Sequence, residues 1–419
     1  MLDLPRRTIL ITILCSGSRG DFQPYIALAQ ELQKQGKSVR IAGGKSFEGF
    51  ITGYGIDFHA LSADYQTVDI DPKLIQDAQS SDNPLKMLLT FNKMKKYVLG
   101  LTEEMFHACK GSELIIYHPG CSIGYFAGEI LGIPSVLASP FPMHKTKEIA
   151  SVISYGKSKM PISLSYKLLQ GMLWMAGKTG VVAFLKKEFG KLPQHFGSPF
   201  EKVDAKHPSV VSCSNFVFPR PKDWNINIHQ NGYWFTEETS EYIPSKQLAD
   251  FLEKGEKPVY IGFGSVFDSS HKKETVKIIT EALQRAGKRG IISGMGEIEN
   301  LPETIIAINS IPHSWLFERV SLVCHHGGAG TTAAGFKAGV PSIIIPFSND
   351  QFAWAHRAYD IGVGSEPIYR KKLTAEKLAD AISFASKAEI INNAKILGEQ
   401  INSENGAEKS AKVLVDLLN

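Results

Sequence analysis

The stretch Ser321-Leu-Val-Cys-His-His-Gly-Gly-Ala-Gly-Thr-Thr332 decides the fold of this chain. Its apolar beginning, 321–325, predicts a buried strand, and the small apolar residues at 333–338 predict a helix after it. Small residues between the two let the backbone approach a ligand, and the first N–H groups of a helix hold an anion. The spacing of the glycines fits neither a Walker A loop nor the GxGxxG dinucleotide fingerprint. The stretch therefore predicts a phosphate-binding turn inside an α/β domain.

The same rhythm of strand, turn and helix opens the chain. An apolar run at 9–14 predicts a strand, and a helix is predicted from Asp21, with Pro24 in its first turn and Gly36 as its stop. We expect further strands at 39–42, 114–117, 135–138, 258–261, 289–292, 304–307 and 342–346, and helices at 123–131 and 274–286. This alternation is typical of doubly wound parallel sheets, so we predict an α/β fold with two Rossmann-like domains facing each other across a cleft.

The length of 419 residues is sufficient for two domains of ordinary size. We place the first domain at 1–215 and the second at 243–419, with a last helix that could pack back on the first domain. Residues 216–242 are rich in Pro, Asn, Trp and Tyr without periodicity, which predicts an ordered linker between the domains.

Charge and cysteine content exclude several classes of protein. Forty-six Lys and Arg against 42 Asp and Glu leave a net charge of +4, too small to indicate nucleic-acid binding. Five scattered cysteines without a CxxC pair argue against a disulfide framework or a structural zinc site, and favour a reducing, cytoplasmic location.

The apolar run before Cys15 resembles a short secretion signal, but a buried first strand explains it equally and is favoured because the bulky Leu14 precedes the cysteine. No stretch of 18 uncharged apolar residues occurs, so we expect no membrane-spanning helix.

Residues 151–191 differ in character from the rest of the chain. They contain seven lysines and a single acid, Glu188, among large apolar residues such as Leu168 and Trp174. The first interpretation is a pair of helices packed on their own domain with the lysines in water. The alternative is an apolar ligand cleft or a peripheral membrane contact through this segment.

A second polar motif follows the strand predicted at 342–346. Asp350 and Gln351 come next to each other there, and the carboxyl ends of neighbouring parallel strands meet at one crevice. An adjacent carboxylate and amide can bind vicinal hydroxyls, as on a hexose, although a helix cap on a solvated loop would use the same residues. His326 in the phosphate-binding turn can donate a hydrogen bond to a phosphate oxygen; the alternative is a structural histidine at a strand end.

Several motifs in sequence order now resemble a known family. His326-Gly-Gly-Ala-Gly-Thr-Thr332, Ala338-Gly-Val-Pro341 and Asp350-Gln351 resemble the nucleotide-sugar signature of family 1 glycosyltransferases of GT-B fold. Within that family the chain most resembles the branch of sterol 3-β-glucosyltransferases and bacterial antibiotic glycosyltransferases. Further similar motifs are Gly17-Ser-Arg-Gly-Asp-Phe-Gln-Pro24, Tyr260-Ile-Gly-Phe-Gly-Ser265 and Ile311-Pro-His-Ser-Trp-Leu-Phe317.

The resemblance implies an inverting transfer of a hexose, with glucose favoured, from a UDP-sugar to the hydroxyl of a hydrophobic acceptor. The UDP-sugar is then a co-substrate, and no metal or other cofactor is implied. The first domain would bind the acceptor and the second the nucleotide sugar. The implied donor-binding residues are Ser18, Arg19, Ser265, His313, His326, Gly328, Gly330, Thr331, Asp350 and Gln351.

Two residues of the first domain receive catalytic roles from the resemblance. Asp21 would be the general base, with a simple helix N-cap as the alternative. His118 occupies roughly the position where plant enzymes hold an aspartate that partners their histidine. It would therefore take part in the active site, unless it is only a structural histidine at a strand end.

The chain also departs from the family pattern. It has Ser310 where plant members stack a tryptophan on uracil and Ala334 where they place a glutamate on the ribose, so the base is less securely implied than the family. Asp69-Ile-Asp71 resembles the manganese motif of the other major glycosyltransferase fold, but a solvated loop is the better interpretation. Two rival functions remain: a catalytically silent GT-B helper of a partner transferase, and a nucleotide-sugar epimerase.

Overall fold

The computed structural model describes residues 9–62, 95–156, 159–239, 241–264, 271–309, 311–348 and 350–418. The chain divides into two compact units. The first comprises Met1–Ser151, Met160–Thr239 and Glu404–Asn419, and the second comprises Val152–Lys159 and Ser240–Ser403.

Within the described part of the first unit, seven parallel strands form one sheet in the order β3-β2-β1-β4-β5-β6-β7. The strands are β1 Leu10–Leu14, β2 Ser38–Gly44, β3 Asp57–Leu61, β4 Leu114–Tyr117, β5 Ser135–Ser139, β6 Ser209–Val211 and β7 Ile228–Gln230. The helices that follow these strands are α1 Arg19–Lys34, α2 Glu48–Thr52, α3 Lys95–Ala108, α4 Ile123–Leu131 and α5 Ile162–Phe189.

The described part of the second unit has a five-stranded parallel sheet in the order β10-β9-β8-β11-β12. Its elements in chain order are α6 Lys246–Glu253, β8 Val259–Gly262, α7 Lys272–Arg285, β9 Gly290–Ser293, β10 Ile305–Ile308, α8 His313–Leu316, β11 Leu322–His325, α9 Ala329–Lys337, β12 Ser342–Ile344, α10 Gln351–Asp360, α11 Ala375–Ala385 and α12 Ala388–Asn402. The last helix, α13 Gly406–Asp416, belongs to the first unit and packs against α1.

The centre of each sheet is formed by strands that helices cover on both faces. In β1, Ile11 and Ile13 are fully buried, and β1 pairs with β2 on one side and with β4 on the other. In the second unit, Ile261 on β8 and Val323 on β11 are equally buried. Continuous apolar runs predict such strands correctly, because a parallel strand covered on both faces has no solvent side. Both α/β domains of the predicted fold class are therefore present.

Helix α1 begins two residues before the predicted start. Ser18 caps it, so Pro24 is its sixth residue and not part of the first turn. Gly36, with φ of +76°, lies just past its end as predicted.

Residues 151–191 contain one long helix, and the predicted helical pair is wrong. Helix α5 is continuous over 28 residues and ends at Gly190, a left-handed residue with φ of 70°. Among the helices in the described ranges, α5 alone is long and apolar enough to cross a membrane, with a mean hydropathy of 1.3 over 18 residues. However, 39% of that window is buried within the protein. The sequence contains no proline between 162 and 189, and nothing else in it required a break.

The segment predicted as a linker also contributes to a sheet. Strand β7 lies within 216–242 and forms the edge of the first sheet beside β6. A strand of three residues leaves no period that sequence patterns could reveal.

Candidate active site

Asp21 lies in the first turn of α1, directly beyond the carboxyl end of β1. The Ser18 backbone N–H donates to Asp21 Oδ2 at 2.6 Å, and the Ser18 hydroxyl donates to the same oxygen at 2.9 Å. Gly17 makes this closeness possible, since a Cβ there would meet Asp21 Oδ2 at 2.4 Å and its φ is +130°. Asp21 is therefore part of a capping box and at the same time has a second oxygen outside it.

His118 follows β4, the neighbour of β1, and faces that second oxygen. Its Nε2 lies 3.9 Å from Asp21 Oδ1, which is longer than a hydrogen bond but within charge interaction. Its Nδ1 accepts the N–H of Gly120 at 3.0 Å. A neutral imidazole that accepts at Nδ1 carries its proton on Nε2, so the N–H of His118 points toward Asp21.

Burial keeps this imidazole neutral. Burial lowers the pKa of His118, and the charge of Asp21 opposes that shift only in part. The Tyr25 ring packs edge-on against the His118 ring, with 6.0 Å between their centroids. His118 is therefore held as a neutral donor beside the Asp21 carboxylate, and its predicted catalytic role remains a prediction.

The two other residues singled out in the amino-terminal motif have partners within the first unit. The Ser18 hydroxyl is engaged by Asp21. The Arg19 guanidinium lies over the Phe50 ring, 4.4 Å from its centroid. Their predicted donor contacts remain predictions.

The phosphate-binding turn of the second unit is shorter than predicted, because α9 begins at Ala329 and not at 333. Gly328 is its N-cap, and the first intrahelical bond runs from the Thr332 N–H to the Gly328 carbonyl at 2.9 Å. Helix geometry thus leaves the N–H groups of Ala329, Gly330 and Thr331 without intrahelical acceptors. Gly330 and Thr331 lie inside the first turn, where the helix dipole favours an anion.

The His326 ring is wedged between two glycines. A Cβ on Gly328 would lie 2.6 Å from His326 Nε2, and a Cβ on Gly264 would lie 3.2 Å from His326 Cε1. Burial lowers the pKa of His326 to about 4, so the ring is neutral at physiological pH. Among the residues that the structure describes, its buried Nδ1 has no hydrogen-bond partner.

The loops after β11 and β12 touch at Gly327, as expected for neighbouring strands. A Cβ on Gly327 would meet the Gln351 carbonyl oxygen at 3.0 Å and Ile344 Cγ2 at 2.7 Å, and its φ is +90°. The Gly327 N–H donates to His325 Nδ1 at 3.1 Å. Only glycine fits this turn, and the contact brings the Asp350-Gln351 pair beside the phosphate-binding turn.

Internal hydrogen bonds orient Asp350 and Gln351. Asp350 Oδ2 accepts the indole N–H of Trp354, one helical turn later, at 2.8 Å. Gln351 Oε1 accepts the backbone N–H groups of Phe347 and Ser348 at 2.8 and 3.1 Å. These bonds fix the orientation of both side chains beside the predicted phosphate-binding turn, and their predicted contacts with a sugar remain predictions.

His313 also belongs to this end of the second sheet. The His313 ring stacks on Phe317 with 4.4 Å between centroids. The pKa of His325 is lowered by burial first, then by the charge of His326, and then by the charge of His313. Ser265, Ser310 and the Asp69-Ile-Asp71 motif lie outside the described residues.

Sequence reasoning missed the residues that hold the polar groups in place. Trp354 was not singled out, although its spacing of four residues after Asp350 predicts a contact on one helix face. The Gly120 N–H that fixes the His118 tautomer gives no signal in the sequence, because a backbone donor is available at almost any residue.

Two family models match the chain. Residues 11–150 match the glycosyltransferase family 28 N-terminal domain, and residues 292–417 match the erythromycin biosynthesis protein CIII-like C-terminal domain. The chain is similar in structure to the glycotransferase of kitacinnamycin, with a TM-score of 0.74 at 18% identity, covering 99% of this chain and 100% of that one. It is also similar to the calicheamicin glycosyltransferase CalG4, with a TM-score of 0.71 at 15% identity and 98% of both chains covered.

Relatives with higher identity are named sterol 3-β-glucosyltransferases. Two are from Arabidopsis thaliana, UGT80A2 and UGT80B1, each 32% identical over 96% of this chain. The chain spans 64% and 67% of the lengths of these two proteins, and only 27% of a Cryptococcus neoformans relative that is also 32% identical. By these similarities and by the two doubly wound units, the chain belongs to the GT-B glycosyltransferases, in the branch of the sterol 3-β-glucosyltransferases and bacterial antibiotic glycosyltransferases.

Proposed function

We propose that this protein transfers a hexose, with glucose favoured, from a UDP-sugar to the hydroxyl of a lipophilic acceptor and inverts the anomeric carbon. Family membership and the names of the plant relatives support this reaction class. The observation that carries the proposal is that the two oxygens of the Asp21 carboxylate have different partners. One oxygen is tied to Ser18, while the other faces a neutral histidine and is left to accept a proton.

In the proposed step, the acceptor oxygen attacks the anomeric carbon from the face opposite the nucleotide. The new carbon–oxygen bond forms as the bond between the anomeric carbon and the β-phosphate oxygen breaks. The electron pair of the broken bond leaves with UDP. The hydroxyl proton goes to Asp21 Oδ1. A carboxylate is a weak base for an alcohol, so the proton moves in concert with bond formation, as the attacking oxygen becomes acidic. An α-linked donor then gives a β-glycoside.

His118 would act as a positioning residue for this carboxylate. Its Nε2–H is directed at Asp21 Oδ1 and would stabilise the negative charge until the acceptor arrives. Since Nδ1 is occupied by the Gly120 N–H, His118 itself has no free nitrogen to take the proton.

The second unit would stabilise the leaving diphosphate. Negative charge grows on the phosphate oxygens as the glycosidic bond breaks, and preformed N–H donors stabilise that charge more in the transition state than in the ground state. The donors available are the first N–H groups of α9 and the His326 imidazole. Removing one such donor is expected to raise the barrier by about 3–4 kcal/mol, by analogy with oxyanion holes.

The experiment is a matrix of donors and acceptors followed by mass spectrometry. UDP-glucose and TDP-glucose are each incubated with a sterol, a triterpenoid alcohol and a macrolide, with and without EDTA. We expect one hexose added to a lipophilic alcohol from UDP-glucose, a β-anomeric proton coupling in the product, and no loss in EDTA. Sugar epimerisation without acceptor, or no product and no release of UDP in any combination, would refute the proposal.

A further inference from the structure

The longest helix of the first unit exposes large apolar side chains along one line. Leu164, Leu168, Met175 and Phe189 of α5 have exposed fractions between 41% and 53%. At 100° per residue, these four positions fall within an arc of about 60° on the helix surface. We refer to these four residues as the α5 stripe.

Residues of α5 outside the stripe anchor the helix in the core of its own unit. Trp174 stacks on Phe126 of α4, with ring centroids 5.9 Å apart, and Phe184 packs on Phe106 of α3 at 4.7 Å. These contacts fix the rotation of the helix about its axis. The α5 stripe is therefore a fixed outward face about 38 Å long, and not a fluctuating surface of a loose segment.

The charges beside the α5 stripe are positive. Lys167 and Lys178 are exposed and lie along one edge of it, at the spacing of helical neighbours. Glu188 is the single acid between 151 and 191, and helical spacing puts it more than 90° away from the stripe. A row of apolar side chains bordered by lysines without acids is complementary to a bilayer with anionic head groups, and not to a basic or neutral polar surface.

We infer that the α5 stripe binds the surface of an anionic lipid bilayer, with α5 lying parallel to the membrane plane. The apolar side chains then enter the boundary between head groups and acyl chains, and the lysines contact lipid phosphates. The packing of Trp174 and Phe184 keeps the helix on its own unit, so it lies on the bilayer without crossing it. Such a contact would bring the protein to the phase in which a lipophilic alcohol resides.

The test uses the whole protein and vesicles that contain no acceptor, so its result does not depend on the proposed reaction. Flotation is measured with phosphatidylcholine vesicles and with vesicles that also contain phosphatidylglycerol. We expect binding only to the anionic vesicles, weakening as salt is added.

Two variants test the α5 stripe itself. Lys167→Glu with Lys178→Glu is expected to weaken partitioning on the order of 25-fold, at about fivefold for each lysine lost. Leu164→Ser, Leu168→Ser and Met175→Ser together are expected to abolish it. Matched controls keep wild-type binding because they lie elsewhere: Ile226→Ser with Ile243→Ser, which are 83% and 85% exposed, and Lys246→Glu with Lys277→Glu, which are 87% and 76% exposed.

Four results would overturn the inference. The first is a wild-type protein that ignores anionic vesicles, and the second is stripe variants that float as wild type does. The third is a wild-type oligomer, measured by sedimentation velocity without lipid, that the stripe substitutions dissociate. That result would assign the face to a second copy of the chain. Binding that resists alkaline extraction would instead show α5 to span the bilayer and would also contradict a surface contact. Because salt dependence and lipid dependence are measured on the wild type, the test stands even if a variant fails to fold.

Discussion

His118 Nε2 lies 3.9 Å from Asp21 Oδ1, while both hydrogen bonds from Ser18 go to the other oxygen of the same carboxylate. The two oxygens therefore have different environments: Oδ2 completes the cap of α1, and Oδ1 faces a neutral imidazole. One aspartate can in this way be both a helix cap and a proton acceptor, so the two interpretations of Asp21 from sequence do not exclude each other.

The first prediction concerns His118. His118→Ala is expected to lower kcat about ten- to a hundredfold, because it removes the N–H dipole directed at the Asp21 carboxylate, with little change in donor KM. His118→Gln, which can still donate an N–H toward Asp21, is expected to restore part of the rate. Steady-state kinetics separate the two parameters, and a His118→Ala enzyme with the kcat of the wild type would exclude the positioning role.

The second prediction concerns the glycine next to the His326 ring. Gly328→Ala puts a methyl group where only 2.6 Å separates it from His326 Nε2, so the ring must move away from the phosphate-binding turn. We expect UDP to bind at least tenfold more weakly by titration calorimetry, with acceptor KM unchanged. Gly197→Ala is the control, because nothing lies within 4 Å of its Cβ. Equal UDP affinity in the two variants would contradict the role of His326.

The third prediction compares two tryptophans that each donate an indole hydrogen bond. Trp354 donates to Asp350 Oδ2 at 2.8 Å, and Trp224 donates to the His144 carbonyl at 3.2 Å. Both Trp→Phe variants are expected to lose about 1–3 kcal/mol of unfolding free energy. Only Trp354→Phe is expected to raise the KM for the sugar donor, because it removes a hydrogen bond that orients Asp350. A donor KM that rises equally in Trp224→Phe would remove the link between Trp354 and the sugar.

The fourth prediction concerns stability in acid. His144 is buried, its Nε2 lies 2.7 Å from the Ser209 hydroxyl, and burial lowers its pKa to about 4. Between about pH 6.5 and pH 4 the unfolded chain binds this proton and the folded chain does not, so stability falls as the pH falls through this window. The expected contribution is about 1.4 kcal/mol for each pH unit.

Urea unfolding at pH 7, 6 and 5 checks this contribution. The variant His144→Gln keeps a hydrogen-bonding group toward Ser209 but cannot titrate, so its stability should depend less steeply on pH. Identical slopes for variant and wild type would show that His144 is not responsible.

Much of the fold could be predicted because parallel strands covered on both faces are continuous apolar runs. Strand β4 and helix α4 have the predicted bounds, and the phosphate-binding turn follows β11 as expected. The start of α9 was predicted four residues late, since Gly330 and Thr331 are poor helix formers that a helix tolerates in its first turn. The edge strand β7 has too few residues for any pattern.

The residue types of the candidate site could be singled out from the sequence, but the contacts that hold their side chains in place could not. Spacing and chemistry indicated His326 and Asp350, because the carboxyl ends of neighbouring parallel strands meet at one crevice, and the resemblance to the family indicated Asp21. The tautomer of His118 depends on a backbone N–H, and the position of the His326 ring depends on glycines that touch it. Such contacts depend on three-dimensional distances, which the order of residues does not specify.

The most direct test of the central claim is Asp21→Asn, measured for hexose transfer and for UDP binding on the same preparation. Asparagine keeps the shape and can still accept both hydrogen bonds from Ser18, so the cap of α1 should remain, but it cannot take up the acceptor's proton. We expect transfer to fall by at least about a hundredfold, the lower range of general-base catalysis, with the UDP dissociation constant unchanged. Transfer at the wild-type rate by this variant would exclude Asp21 as the general base.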